Sequence, residues 1–146
     1  MRYPAVMTKE GRYTVAVFPG CPGCATQADP GERIEDQAAE ALQGWLEAHL
    51  ITGDVPPRPS RRAPRGKVLW VEVPARLAVK LQLRWERADA GLTQTELARR
   101  AGVTQQAIAK LEHPSANPTI ATLEKVAAAL GIRVEVGFRP LPHQGV

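Results

Sequence analysis

No apolar run in this sequence approaches the roughly 20 residues that a membrane-spanning helix requires, so no such helix is expected. The first residues, Met1 to Thr8, lack the basic-then-apolar layout of a secretion signal, and a cytoplasmic protein with no membrane partner is expected. Cysteine is scarce: the two present form Cys21-Pro22-Gly23-Cys24. A structural zinc site takes four ligands, and no second cysteine pair or nearby histidine pair completes the set; one ion shared between two chains is the alternative. Redox CxxC pairs usually open a helix, whose N-terminus stabilises the thiolate, whereas this pair lies between prolines and glycines in a loop. Two reduced loop thiols are expected, with no metal and no cofactor. His49 and His143 have no evident acidic or cysteine partner, and His113 precedes Pro114 at a helix end, where it is expected to cap carbonyls. Nothing supports a nucleophile–base pair.

Composition is that of an ordinary globular protein, 44% hydrophobic and 23% charged. Its charge is unevenly spread. Residues 1–58 carry 5 Lys/Arg against 8 Asp/Glu, and residues 59–146 carry 14 against 7. The basic half suits phosphate backbones; a solvated basic surface is the plainer alternative.

Three Pro/Gly-rich breaks divide the chain: Pro19 to Gly31, Gly53 to Gly66 and the tail from Pro140 to Val146. The middle one is basic and reads as a semi-extended linker, with 59–67 as its central part. Before it, Tyr3 to Met7 and Tyr13 to Phe18 are β-rich and flank a turn at Lys9-Glu10-Gly11. Asp29-Pro30-Gly31-Glu32 predicts a helix start with a capping box. Ile34, Ala38, Ala41, Leu42, Trp45 and His49 follow at helical spacing, and Gly53 ends the helix. So small a ββα unit buries little core and needs a further strand or a second chain. After the linker, 68–74 reads as a strand stopped by Pro74. The helix that follows has two apolar faces, Leu77, Leu81, Trp85 and Ala88 on one and Val79 and Leu83 on the other.

The most informative stretch runs from Gly91 to Glu112. Thr93 caps a short helix and Glu96 completes a capping box. Leu97 and Ala98 face inward, and Ala98 is small enough for a close helix approach. Gly102 suits a helix end that needs positive φ. Val103 plugs the turn, Thr104 caps a second helix, and Ile108 and Leu111 anchor it. Gln105, Gln106, Ala109 and Lys110 then face outward. In a helix-turn-helix, residues at the start of the second helix point at base edges, and glutamine can bind adenine bidentately. Thr104 and Lys110 are candidates for the same surface, Lys110 towards phosphate, as is Gln94, which can donate to a phosphate beside backbone N–H groups. Agreement of size, capping and glycine requirements over some 20 positions resembles the helix-turn-helix of the lambda-repressor/Cro-like (XRE) family, with Glu112 as that pattern's closing Glu. Asn117-Pro118-Thr119-Ile120, Leu123, Ala127 and Leu130-Gly131 look like the family's next loop and helix. An ordinary helical hairpin, or a degenerate motif used for protein contacts, are the alternatives. Arg133 to Phe138 alternates as a last strand, able to pair with 68–73 within one chain or between two. Together with Val79 and Leu83 it is the candidate dimer contact.

The layout as a whole resembles the HicB antitoxin family. The resemblance rests on Tyr3-Pro4-Ala5, on Phe18-Pro19 with Pro22-Gly23-Cys24-Ala25-Thr26-Gln27 and Asp29, on Glu32, Ala38, Ala41, Leu42 and Trp45-Leu46, and on Pro57-Arg58-Pro59-Ser60. The sequence departs from the pattern at Ala28, at Gly31 and in its longer, more basic linker. The resemblance implies an α+β protein: a partial RNase H-like ββα(β) unit over 1–58 that binds a HicA-like mRNA interferase, a linker over 59–67, a strand over 68–74, an all-α helix-turn-helix region with a terminal dimerisation strand over 75–138, and a tail over 139–146. It implies a repressor of its own operon, a homodimer or dimer of dimers on a palindromic operator. Glu32, Glu35, Asp36, Glu40 and Glu47 are the candidate toxin contacts, since an acidic helix suits a basic RNA-binding toxin; a solvated helix face is the competing reading. A free-standing regulator with an N-terminal sensing or dimerisation unit is the second hypothesis. A nuclease is the third and the weakest: two-metal hydrolysis needs acids converging from several elements, and neither predicted N-terminal strand contains Asp or Glu.

Overall fold

The computed structural model describes residues 1–142; His143 and the end of the expected tail lie outside the described residues. β1 (Arg2–Glu10) and β2 (Tyr13–Val17) form a hairpin closed by Gly11, whose φ of 63° suits a tight turn. β3 (Ala25–Ala28) follows, then α1 (Ile34–Thr52), β4 (Lys67–Glu72), α2 (Ala75–Asp89), α3 (Gln94–Ala101), α4 (Gln105–Glu112) and α5 (Ile120–Ala129). The sheet is antiparallel throughout, in the order β3-β2-β1-β4. The fold is mixed α+β, a four-stranded sheet unit followed by an all-helical region.

Four expectations are corrected here. The loop Pro19 to Gly31 contains β3, a strand whose four residues ATQA carry almost no β signal. The strand at 68–73 is held within the chain by β1, in the register Tyr3↔Val71 and Ala5↔Leu69, and not by the C-terminal segment. No strand is assigned at 133–138, which finds no ladder partner among the described residues. Finally, α1 starts at Ile34, with Arg33 as an N-cap that makes no side-chain cap. Glu32 does reach back, accepting the Asp29 N–H at 2.9 Å, but it closes a turn ahead of the helix.

One face of the sheet presents Tyr3, Ala5, Ala16, Ala28 and Val71 to Ala38, Leu42 and Leu46 of α1 and to Leu77, Leu81 and Trp85 of α2. A second core joins Leu83 of α2 to Leu97, Ala98, Ile108, Leu111, Leu123 and Val126 of α3–α5. The two apolar faces of α2 thus belong to two cores. The proline-rich segment before β4 is pinned rather than loose. Pro56 is buried, its carbonyl accepts from Trp85 Nε1 at 2.6 Å, and the Pro57 carbonyl accepts from Tyr3 Oη at 2.7 Å. Arg58 is ion-paired with Asp89 at the end of α2. Lys67, expected in the linker, already belongs to β4.

The CxxC thiols lie in the loop between β2 and β3, as expected, but their side chains belong to the core. Both are buried and free, and Cys24 Sγ faces the Ala41 carbonyl. Burial pushes Cys21 up to about 12, with the neighbouring Cys24 adding to the effect, and burial pushes Cys24 up to about 11.

Candidate nucleic-acid interface

The helix-turn-helix is built from local instructions that the geometry honours. Thr93 Oγ1 accepts from the Glu96 N–H at 3.1 Å while the Glu96 carboxylate accepts from the Thr93 N–H at 3.3 Å, a reciprocal capping box. Gly102 ends α3 at φ 68°, a conformation that a Cβ would strain. Thr104 Oγ1 accepts from the Ala107 N–H at 3.1 Å and starts α4. Ile108 and Leu111 turn inward and Val103 packs against the same core. Gln105, Gln106 and Lys110 are therefore exposed, with Ala109 half-buried beside them.

A buried polar cluster underlies this surface. Arg84 and Glu112 are only 3% and 2% exposed, so their pairing is fully desolvated. Arg84 Nε donates to Glu112 Oε1 at 2.8 Å, and Arg87 holds the same carboxylate through Nε at 3.0 Å and Nη2 at 2.9 Å. Glu112 Oε2 accepts from Gln94 Nε2 at 3.0 Å. A carboxylate can only accept, so Gln94 must turn its amide nitrogen to Glu112 and its oxygen outward. That oxygen accepts from Gln105 Nε2 at 2.8 Å. Gln105 keeps its second N–H and its own oxygen free in this network, the donor and acceptor that the edge of adenine requires. Gln94, expected as a phosphate donor, gives one N–H to Glu112 and its oxygen to Gln105, and its second N–H is not used in this network.

Sequence reasoning noted Glu112 only as the end of a pattern and passed over Arg84 and Arg87. The two arginines lie three residues apart on an amphipathic helix, a spacing that by itself is equally that of a solvated face. The one available signal was a Glu on a helix face otherwise anchored by Ile108 and Leu111. His113 is the C-cap of α4, its backbone N–H donating to the Lys110 carbonyl at 3.1 Å, while its ring turns to Ser115: Nδ1 accepts the Ser115 N–H at 3.2 Å and lies 2.7 Å from Ser115 Oγ. His49 Nδ1 lies 2.8 Å from the Trp45 carbonyl and its ring stacks on Trp45.

The acidic candidates do not form one stripe. Glu32 precedes α1, and Glu35 sits a third of a turn from Asp36. Asp36, Glu40 and Glu47, spaced by four and seven, share a face; Asp36 and Glu40 are exposed, and Glu47 is half-buried and accepts from Gln43. Glu35 and Asp36 lie near Arg33 at 4.0 and 3.8 Å.

This geometry is that of a helix-turn-helix protein, and the helix-turn-helix family model matches residues 83–136. The similarity extends well beyond that region. Antitoxin HicB 1 of Photorhabdus laumondii is 35% identical over 133 residues, 90% of this chain and 83% of that protein. Antitoxin HicB of Escherichia coli is 31% identical over 90% of this chain and 94% of its own length. The chain belongs to the HicB antitoxin family. The immunity repressor protein of Bacillus phage phi105 is 38% identical across 58 residues, 40% of each chain. No helix among the described residues is long and apolar enough to cross a membrane.

Proposed function

We propose that the protein is a cytoplasmic, non-catalytic antitoxin that neutralises a HicA-like mRNA interferase by direct binding and represses its own operon by reading operator DNA through α4. The observation that carries this reading is the capped start of α4, which offers Gln105, Gln106 and Lys110 to solvent in a chain that aligns with antitoxins over nine-tenths of its length. Gln105 and Gln106 read base edges, each good bidentate pair discriminating by about 1–3 kcal/mol. Lys110 neutralises phosphate. Thr104 sets the helix start, Ala109 permits close approach, and Gln94 acts through Gln105.

The toxin is basic in this reading and docks on the acidic half, with Asp36, Glu40 and Glu47 as its central contacts and Glu32 and Glu35 at the margin. The acting species is a homodimer or a dimer of dimers on a palindromic operator. Two features support association. Val136 and Phe138 are 63% and 96% exposed, an unusual cost for one chain in water. A groove lined by Val79, Leu83, Leu123 and Ala127 lies beside residues 132–135. Pairing of 133–138 between two copies would satisfy both.

The test is selection of duplexes from a random pool by the full chain. The unaltered protein enriches a palindrome. Gln105→Ala with Gln106→Ala relaxes it, and Lys110→Ala weakens all sequences alike, lowering the salt slope by about one unit. Unchanged selectivity in the double variant removes α4 as the reading helix. Co-expression with the product of the adjacent gene tests the antitoxin half: rescue of growth is expected, and absence of any complex refutes it.

A further inference from the structure

We propose that Arg84 is a positioning residue that ties the base-reading amide of Gln105 to the C-terminal end of α1, so that the sheet unit sets the sequence preference of the reading helix. The inference rests on the DNA-reading role of α4 proposed above and adds a partner to it, within the same chain.

The guanidinium of Arg84 is a rigid planar fork, and its nitrogens point to two parts of the molecule at once. Nη1 donates to the Asp54 carbonyl at 2.8 Å and Nη2 to the Leu50 carbonyl at 3.2 Å, while Nε donates to Glu112 at 2.8 Å. Leu50 and Asp54 flank Gly53, the left-handed C-cap of α1 at φ 86°. Carbonyls at a helix end lack intrahelical donors and carry the negative end of the dipole, so a cation is the partner they select. One buried cation therefore binds the end of α1 and, through the Glu112 carboxylate, the last residue of α4.

From Glu112 the path continues without a break. Its second oxygen takes the Gln94 amide at 3.0 Å, and the Gln94 oxygen takes Gln105 at 2.8 Å. Side-chain and backbone groups from α1, α2, α3 and α4 form one chain of bonds, buried where Arg84 meets Leu50 and Glu112, part-buried at Asp54 and Gln94, and exposed only at its last link, Gln94 to Gln105. Around the buried Arg84 guanidinium, a displaced Leu50 carbonyl or Glu112 carboxylate is not readily replaced by solvent. A shift at the end of α1 must be answered by the guanidinium, then by Glu112, and then by the two glutamines. Lys80 makes a second tie of this kind, donating to the Pro114 carbonyl beyond α4, but it does not reach the reading residues.

Two variants of the full chain test the link. Arg84→Lys keeps the charge but cannot hold three acceptors in one plane. Gly53→Pro acts at the exposed end of α1: proline fixes φ near −65°, removes the N–H that bonds the His49 carbonyl and disfavours helical geometry at Thr52, so the positive-φ cap and its carbonyls must move. Both are passed through selection from the random duplex pool and compared with Gln105→Ala. Preference at the positions that Gln105→Ala relaxes is expected to fall about five-fold, the lower end of couplings between sites, with other positions and the salt slope unchanged. A merely structural role would instead weaken every sequence equally. An unaltered profile in both variants, or a uniform loss, overturns the coupling while leaving α4 as the reader. Should Arg84→Lys fail to fold, Gly53→Pro decides alone. Failure of the unaltered chain to enrich any sequence overturns DNA reading itself, and the coupling with it.

Discussion

The sheet unit and the helical region are stabilised by different means. In the sheet unit the decisive contacts are distant in sequence: β1 pairs with β4 across some 65 residues, and Tyr3 is tied to Pro57. Its helix α1 begins without a side-chain cap and is held by the stripe Ile34, Ala38, Leu42, Leu46 and Leu50. In the helical region each of α3, α4 and α5 starts with a threonine whose hydroxyl accepts a backbone N–H within the same turn. Helices of eight to ten residues are marginal alone, so these caps and a small shared core do what length does for α1. The lesson is that one half is assembled by topology and the other by local chemistry, with α2, alone among the helices of the described residues, contributing to both cores.

The largest predicted effect falls at their junction. Glu112→Ala leaves Arg84 and Arg87 buried without their carboxylate, and unfolding free energy should fall by about 3–5 kcal/mol in urea titrations. Next comes Leu81→Ala, in the sheet-side core, at about 2–5 kcal/mol. Tryptophan fluorescence reports the sheet side, where Trp45, Trp70 and Trp85 lie, and far-UV dichroism reports the helices. One shared transition is expected in this variant; two separate midpoints would show that α2 does not couple the halves. Capping variants give smaller changes of opposite sign. Thr93→Ala and Thr104→Ala should each cost about 1 kcal/mol, whereas Arg33→Ser, which supplies α1 with the cap it lacks, should add about 0.5–1 kcal/mol. The exposed Arg33 contacts it removes are worth little.

The smallest effect concerns pH. Because the folded thiols are raised to about 12 and 11 by burial, while those of the unfolded chain ionise near 8.5, their contribution is complete below about pH 8 and is lost as pH rises towards the folded values. Urea midpoints should therefore decline between pH 8 and pH 10, and the decline should shrink in Cys21→Ala with Cys24→Ala. A native-state thiol titration at pH 8 should be slow.

Much of the helical region was legible because its signals are short-range. Thr93 with Glu96, Gly102 and Thr104 each act within one turn, and the spacing of Ile108 and Leu111 leaves only one outward face. The sheet unit was harder to read. The residues of β3 have no strand preference of their own and become a strand because β2 lies beside them. Asp29 and Glu32 satisfy the pattern of a capping box, yet Gly31, at φ 93°, takes the chain through a left-handed turn that no helix can contain. The segment 53–66 has the composition of a loose linker, and only the buried indole of Trp85 and the phenol of Tyr3 reveal that its carbonyls are held. Among the candidate site residues, the exposure of Gln105, Gln106 and Lys110 was legible from pattern alone. The roles of Arg84, Arg87 and Gln94 were not, since a charged residue on a helix reads as solvated until another element covers it.

By itself the sequence determined where the short helices begin and end, which side of α4 is wet and which family the chain resembles, because those properties follow from hydroxyl caps, a glycine and an apolar repeat within one or two turns. Tertiary structure alone decided that β4 joins β1, that both cysteines are core residues and that a single arginine faces α1 and α4 together. These depend on which surfaces meet across tens of residues, and the free energy of removing charges and thiols from water is set by that meeting and not by their neighbours in the chain.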